Sequence, residues 1–495
     1  MRGFSPSGAD ANCDNYFRMR PAGWIAGGVA AFSILVFLGT SAGQTPQQEP
    51  TPSPVPPAPG TPPRTPSPPR TPTAPTSPTP PGQTPPTTTQ EAPPEPPPAD
   101  EVAPEPPRVP EDLSRTGRTT EPPRVFVGPD LFNPPAHQGW ITLTPSVTLS
   151  AEYNDNIFLT SRSKRDDVIL AVSPGLTFTM RRPNYNLSAG FYTSGELYLR
   201  EDQLSDFGKT TRFFADGSYQ LSPNVSFALN DEFVFSRDTN AITSGGVSAG
   251  LQEAWRNTLT PSVRWQVTPS TGLDLYASHT IIRFEENSSD LRDSDTFRLG
   301  LRADHRLTAR LTGTAGIEGA YFDTSGEPSA WTISPRLGFS YDVTPTLRAY
   351  GSAGPLFLER DGDTSVTPGV NAGLIQTFKY GSLQVGYDHT VVAETIGVSE
   401  RHAIFGSLLV PTWQRGLQLE FTPRYTITDP EGPNSGDKVN TLSLTLTAKY
   451  QIVRNISVIG SYTFFKETFD RSGNGDIDQN RVFLGLQYAY PISIY

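Results

Sequence analysis

The chain has almost no cysteine: Cys13 is the only one in 495 residues. A lone cysteine excludes a disulfide framework and any zinc site built from cysteines. The five histidines are scattered without the spacing of a metal motif, and we predict no metal site and no cofactor. Basic residues are also few, 39 against 50 acidic ones. Because nucleic-acid binding needs a basic face, we predict no nucleic-acid partner.

Long hydrophobic runs are missing with one exception, the 17 uncharged residues from Gly23 to Gly39. Arg18 and Arg20 precede this run, and small residues follow it, which is the layout of a secretory signal. We therefore predict a signal peptide over 1–43, with Met19 as a better-placed start than Met1. An uncleaved membrane anchor is the alternative, although a transmembrane helix needs about 20 apolar residues.

Proline, in contrast, is concentrated in one segment. Residues 45–135 hold 33 of the 51 prolines, together with many threonines. Proline removes backbone donors, and little in this segment is apolar enough to bury. We predict that 44–138 is a disordered Pro/Thr-rich linker in the periplasm. It serves either as a solubilising tail or, through 45–135, as a tether to peptidoglycan or to polysaccharide-export components.

The rest of the chain, 139–495, alternates between apolar and polar residues. In the stretch 295–343, Phe297, Leu299 and Leu301 are separated by Arg298 and Gly300, and the pattern resumes after a short connector. Side chains of a strand point to opposite faces with a period of two. The segments run about 12 residues, near the 9–11 that a tilted transmembrane strand needs.

Eighteen such segments fit between residues 140 and 494, with short turns after the even ones and longer loops after most odd ones. This sorting is typical of outer-membrane barrels. A β-propeller, a β-helix and a soluble sandwich are the alternatives, and none explains both the strand length and the loop pattern. We predict an all-β fold, an antiparallel transmembrane β-barrel of about 16–18 strands in the outer membrane of a Gram-negative bacterium. Outer-membrane lipid is then a partner.

The last predicted strand, 480–494, alternates up to Tyr490 and is followed by the aromatic C-terminal residue Tyr495. This ending resembles the signal that the barrel-assembly machinery recognises, which makes that machinery a second expected partner. Pro491 is expected to break the register of this strand.

If the apolar residues face lipid, their polar neighbours face the lumen. Arginine dominates that set, while acidic residues such as Glu359, Asp361 and Asp363 fall in predicted loops. The predicted pore-lining arginines are Arg264, Arg298, Arg302, Arg306, Arg336, Arg348 and Arg424. Rings of one charge set the selectivity of a pore, so one hypothesis is a preference for anions. The other is a mutually paired lining without strong preference.

A short motif ends the first predicted strand, formed by Tyr153, Asp155, Asn156, Ile157 and Phe158. It resembles the opening motif of the outer-membrane family called β-barrel porin 2, and the resemblance extends over 139–495 in layout. It implies a porin-like function, or one linked to exopolysaccharide export. From the residues themselves, we expect Asp155 and Asn156 to turn the chain and satisfy backbone donors.

These patterns favour a porin-like channel for small polar solutes or a barrel linked to exopolysaccharide export. The alternatives are a plugged structural or assembly barrel tethered through its linker, and an outer-membrane hydrolase. We predict no enzyme, because the only candidates at the rim are His389 beside Asp388 and His402 near Glu400, without a nucleophile motif. The segment Gly473–Asp478 has the oxygen density of a calcium loop but lacks its terminal glutamate, so we expect an ordinary acidic loop.

Overall fold

A computed structural model describes residues 140–239, 242, 250–285, 291–394, 397–410, 416–430, 437–470 and 475–494. The predicted signal peptide over 1–43 and the linker over 44–138 lie outside the described residues, as does Tyr495. One complete 3-10 turn, Asp202–Leu204, lies in the described part. No helix in these ranges is long and apolar enough to cross a membrane.

The described residues form a succession of long strands, as the alternation predicts. Their bounds are β1 Ile141–Asn154, β2 Asp167–Arg182, β3 Tyr185–Tyr198, β4 Asp206–Ser222, β5 Val225–Asp238, β6 Leu251–Thr268, β7 Thr271–Phe284, β8 Ser294–Arg306, β9 Leu311–Thr324, β10 Ala330–Asp342, β11 Leu347–Arg360, β12 Asp363–Phe378, β13 Gly381–Glu394, β14 Gly397–Val410, β15 Leu417–Pro430, β16 Val439–Val453, β17 Ile456–Phe469, β18 Ile477–Ala489 and β19 Ile492–Ile494.

From β1 to β18 each strand pairs antiparallel with the next, and β1 pairs with both β18 and β19, which closes the sheet into a barrel. Because β19 only continues β18 after a two-residue interruption, the wall has 18 strand positions. The prediction of an antiparallel barrel of 16–18 strands is confirmed, at the upper number. Closure removes the unpaired edges that an open sheet would expose.

The strands are long enough to cross a bilayer with residues to spare. The eighteen long ones run from 13 residues in β8 to 18 residues in β6. At about 3.4 Å per residue, 14 residues extend roughly 48 Å. A tilt of about 40° reduces this to roughly 37 Å along the barrel axis, which exceeds the apolar band of about 25 Å in outer-membrane barrels. Both strand ends therefore project beyond that band.

Turn lengths differ between the two ends of the barrel. At one end, which we call the short-turn end, two residues such as Pro183-Asn184 suffice between strands. At the other, the long-loop end, most connections are longer. The β11–β12 connection departs from the expected loop, because both strands extend to a two-residue turn at Asp361 and Gly362. These residues have φ values of 53° and 85°, as the Asp-Gly turns favoured in hairpins require.

Pro491 interrupts the last strand without shifting its register, and the expectation of a register break was wrong. Ala489 pairs with Ser146, and Ile492 pairs with Leu143, so three residues on one strand match three on the other. Between them the Tyr490 N–H donates a 3.0 Å hydrogen bond to the carbonyl oxygen of Pro145. Proline lacks only its own N–H, and the neighbouring bond is enough to keep the strands aligned.

Candidate functional site

The two faces of the barrel wall differ in chemistry. On β8 the side chains of Phe297, Leu299 and Leu301 are 47–60% exposed. Arg298 and Arg302, which alternate with these residues along the strand, are less exposed and form ion pairs with neighbouring strands. A belt of exposed apolar side chains on a closed barrel is the surface that lipid covers. The opposite face, with the arginines, is the interior.

The seven predicted pore-lining arginines all lie on this interior face. Six stand next in sequence to an exposed apolar residue of the exterior, and the seventh, Arg348, pairs in register with Asp342, the neighbour of the exposed Tyr341. The six are Arg264 beside Trp265, Arg298 beside Phe297, Arg302 beside Leu301, Arg306 beside Leu307, Arg336 beside Leu337 and Arg424 beside Tyr425. That these side chains line a conducting path stays a prediction.

Carboxylates on the interior face neutralise several of these arginines. Asp274 on β7 lies 2.9 Å from Arg264 and 3.2 Å from Arg302, and Asp304 adds a 3.3 Å contact to Arg264. Glu318 on β9 pairs with Arg298 at 3.4 Å and accepts a hydrogen bond from the Tyr276 hydroxyl. The structure thus brings acidic and basic residues together in alternation, which resembles a mutually paired lining more than a ring of one charge.

Towards the long-loop end, β13 separates from β12. The register between these two strands ends at Val370 and His389, although β11–β12 pairing continues to Arg360 and Asp363. Pairing between β13 and β14 likewise continues to Glu394 and Gly397. We call residues 390–394 and 397–401 the infolded hairpin. On its other edge it stays attached to the wall, because β14 pairs with β15 as far as Ser399 and Pro430.

The infolded hairpin is covered on both faces, unlike the wall strands. Val391 and Val392, which are neighbours and point to opposite sides, are 3% and 5% exposed. Val391 and Val398 pack in one apolar cluster with interior residues of β9, β10 and β11, namely Ala320, Phe322, Ala330, Leu356 and Leu358. The hairpin therefore lies inside the barrel, over the inner face of these three strands.

Polar contacts hold the infolded hairpin in place. Arg298 on β8 donates a 3.1 Å hydrogen bond from Nη2 to the carbonyl oxygen of Val391. At the hairpin tip, Gly397 packs so closely on Glu327 that a Cβ atom there would overlap the carboxylate. Glu327 is itself fixed by Arg360 at 2.6 Å and by Arg292 at 3.3 Å. The tip thus rests against an ion cluster on the β9–β10 connection.

A second set of contacts bridges the interior near the seam where the barrel closes. Arg481 on β18 binds Glu152 on β1 at 2.8 Å and also Asp238, at the end of β5, at 2.8 Å. Near Asp238, the side chain of Ile242 is fully buried among Val234, Ala254 and Ile282. Residues from the long-loop end thus enter the barrel at two places, the infolded hairpin and the segment at Ile242, and reduce the open space inside the barrel.

The motif that ends the first strand, Tyr153 to Phe158, lies at the seam. The Asn480 N–H donates a 2.6 Å hydrogen bond to Oδ1 of Asp155, and its side-chain amide contacts Oδ2 at 2.7 Å. Asn156, fully buried, accepts a 3.0 Å bond from the Thr160 N–H and donates a 2.9 Å bond to the Asp478 carbonyl oxygen. Of the other members, Ile157 is 3% exposed, Tyr153 points outward at 43%, and Phe158 lies 5.7 Å from the Arg165 guanidinium.

The two histidines predicted at the rim, His389 and His402, hydrogen-bond to a carboxylate and a tyrosine and not to a serine that could act as nucleophile. His389 Nε2 lies 2.6 Å from Glu400, and His402 Nδ1 lies 2.9 Å from the Tyr387 hydroxyl. Asp388, which the sequence places beside His389, points to the other face and lies 3.8 Å from Arg401.

The candidate calcium loop Gly473–Asp478 is described only in part, because residues 473 and 474 lie outside the described residues. Asp476 and Asp478 form ion pairs with Lys466 and Lys164.

Comparisons with known proteins give no family. No protein-family model matches the chain, and no curated protein does either. The resemblance to β-barrel porin 2 therefore stays a prediction. Among solved structures, the chain is similar to OpdQ of Pseudomonas aeruginosa, at 11% identity and a TM-score of 0.40, covering 71% of this chain and 98% of that one. It is also similar to OccK9 (OpdG) of the same organism, at 12% identity and a TM-score of 0.41, covering 72% and 100%.

The siderophore receptor PirA of Pseudomonas aeruginosa also matches, at 10% identity and a TM-score of 0.34, covering 70% of this chain and 80% of that one. Similarities at this level concern the fold.

Proposed function

We propose that the chain forms a porin-like channel for small polar solutes in the outer membrane of a Gram-negative bacterium. The observation that carries the proposal is the contrast between the faces of the wall: exposed Phe297, Leu299 and Leu301 outside, and ion-paired Arg298 and Arg302 inside. Barrels of 16–18 strands are wide enough to leave an aqueous path. The infolded hairpin narrows that path at the long-loop end.

Liposome swelling tests the channel directly. The barrel is refolded into vesicles that hold a sugar too large to pass, and uncharged solutes of increasing size are added outside. A channel gives swelling rates that fall steeply as the solute approaches the size of the narrowest point. Vesicles that swell no faster than protein-free ones would contradict the channel and leave a closed barrel.

A structural or assembly barrel is the second candidate, favoured by one observation. The infolded hairpin is buried on both faces, with Val391 at 3% and Val398 at 1% exposure, as a plug would be. In this case residues 45–135 recruit peptidoglycan or polysaccharide-export components. Deletion of 45–135 separates the two candidates: a channel keeps its solute flux without the linker, whereas a tethered barrel loses its partner in cross-linking experiments and shows no flux in either form.

We propose no enzymatic activity. The imidazoles of His389 and His402 are engaged by Glu400 and Tyr387, and neither of these hydrogen bonds involves a serine hydroxyl that could act as nucleophile. An outer-membrane hydrolase has therefore the least support among the alternatives. Export of an exopolysaccharide is a further candidate function, since a polar interior suits a sugar chain as well as small solutes.

A further inference from the structure

Three side chains at the root of the infolded hairpin converge on one point. His389 on β13 and His402 on β14 are directly opposite each other in the register, and their rings stack with centroids 3.9 Å apart. Glu400, two residues before His402, reaches back to His389 at 2.6 Å. One ligand atom from each of the three residues lies within 4.8 Å of the others.

The donor set is one that metal ions use. Two imidazoles and one carboxylate, with a further position left open, form the protein ligands of many zinc sites. Donor atoms that share a zinc ion at about 2.0–2.1 Å lie roughly 3.3 Å from one another in tetrahedral geometry. The ligand atoms, at most 4.8 Å apart, therefore exceed this spacing by about 1.5 Å at most. Rotation of the imidazoles about their side-chain bonds can bring the atoms that much closer.

The surroundings also resemble those of a metal site. The hydroxyl of Tyr387 lies 2.9 Å from Nδ1 of His402, which holds this ring in one orientation and leaves its Nε2 for a ligand. Partners of this kind orient metal-binding histidines in proteins. His389 is 4% exposed, whereas Glu400 and His402 are half-buried.

We propose that His389, Glu400 and His402 bind one divalent transition-metal ion, with zinc as the ion that fits this donor set. The site lies where β13 leaves β12, at the last paired residue His389. A bound ion links β13 to β14 at the point where the infolded hairpin leaves the wall, and so fixes the root of the hairpin. Binding does not depend on whether the barrel conducts solute, so the proposal stands apart from the proposed function.

Sequence spacing could not reveal this site. The ligands are 11 and 13 residues from His389, farther apart than the roughly 3–5 residues that separate histidines in zinc-finger motifs, and the β13–β14 register makes His389 and His402 neighbours. The prediction of no metal site rested on motif spacing along the chain. The register of a hairpin cannot be read from that spacing.

Zinc titration of the full chain refolded in detergent tests the proposal. After chelator treatment, isothermal titration with zinc chloride is expected to show one site per chain. The isosteric Glu400→Gln variant and the double variant His389→Ala/His402→Ala are expected to lose more affinity than the roughly 10–100-fold that removal of an outer partner costs. Tyr387→Phe, which removes only such a partner, is expected to fall within that 10–100-fold range.

His305→Ala is the matched control, because His305 is exposed at the short-turn end, where its ring contacts Thr271. It is expected to bind zinc like the wild type. Circular dichroism of each variant establishes that the barrel has folded; if the double variant has not, Glu400→Gln and Tyr387→Phe decide. Equal zinc affinity in the wild type and in Glu400→Gln would overturn the proposal, and so would a wild type that binds no zinc.

Discussion

The guanidinium of Arg298 donates a 3.1 Å hydrogen bond to the carbonyl oxygen of Val391, although four strands separate β8 from β13 along the wall. A wall strand can reach β13 only because the infolded hairpin lies inside the barrel. Arg298 also pairs with Glu318, so one side chain connects the charged lining to the hairpin. The position of the hairpin is therefore coupled to the interior charges.

Arg298→Met is expected to loosen the infolded hairpin. A hydrogen bond to a charged group contributes about 1.5–3 kcal/mol, so its loss raises the population of the displaced hairpin roughly 10- to 100-fold. Hydrogen–deuterium exchange of the amides in 390–394 and 397–401 measures this without any assumption about transport. Arg302→Met is the control, since Arg302 is on the same strand and face but pairs with Asp274 on β7. Equal exchange in both variants would contradict the role of Arg298.

Two glycines with left-handed backbone separate strain from contact. Gly397, at φ 107°, lies against Glu327, whereas Gly362, at φ 85°, has no atom near the position of a Cβ. Alanine at either position costs about 1–2 kcal/mol for the left-handed conformation alone. Only Gly397→Ala is also expected to push the hairpin tip away from Glu327. The unfolding temperature is therefore expected to fall in both variants. The rate of amide exchange in the infolded hairpin is expected to rise in Gly397→Ala only.

Strand positions followed from the sequence because lipid imposes a strict alternation on every wall strand. Leu337 and Phe339 face outward, and Gly338 between them faces inward, so the period of two is visible without any long-range information. The infolded hairpin could not be predicted from this alternation. Its signal was the loss of alternation in Val391, Val392 and Ala393, which marks a strand covered on both sides. Nothing local shows what covers it.

The contacts at the seam could not be predicted from the sequence for a different reason. Asn156 and Asp478 are 322 residues apart, and only closure of the barrel makes them neighbours. The sequence did predict that Asp155 and Asn156 satisfy backbone donors, and Asn156 does so locally, at the Thr160 N–H. In the structure, Asp155 binds the backbone of Asn480 on the last long strand.

Asn156→Ala is expected to weaken barrel closure. Its amide binds the backbone of Thr160 and of Asp478, and a buried polar group left without a partner costs about 1–3 kcal/mol. We expect the free energy of unfolding to fall by about 3 kcal/mol, measured by denaturant titration in detergent. Asn184→Ala, at an exposed turn of the short-turn end, serves as control. A loss no larger than that of Asn184→Ala would show that the seam does not depend on Asn156.

Asp274 offers the sharpest test of the interior charges. It lies 2.9 Å from Arg264 and 3.2 Å from Arg302, so one carboxylate offsets two of the predicted pore-lining arginines. With the carboxylate in place, we expect weak ion selectivity, because paired charges leave little net field in the lumen. Asp274→Asn removes one negative charge at nearly constant shape, so Arg302 loses its carboxylate at 3.2 Å and Arg264 keeps only the 3.3 Å contact to Asp304. Since rings of positive charge favour anions, the variant should become anion-selective.

Reversal potentials in planar bilayers under a salt gradient measure this change. Asp361→Asn is the matched control, because Asp361 is exposed at the tip of the β11–β12 turn, and asparagine tolerates its positive φ. At 0.1 M salt a charge acts over about 10 Å, so Asp361→Asn is expected to leave the reversal potential unchanged. A wild type that is already strongly anion-selective, with no further shift in Asp274→Asn, would mean that Asp274 does not compensate Arg264 and Arg302 along the conducting path.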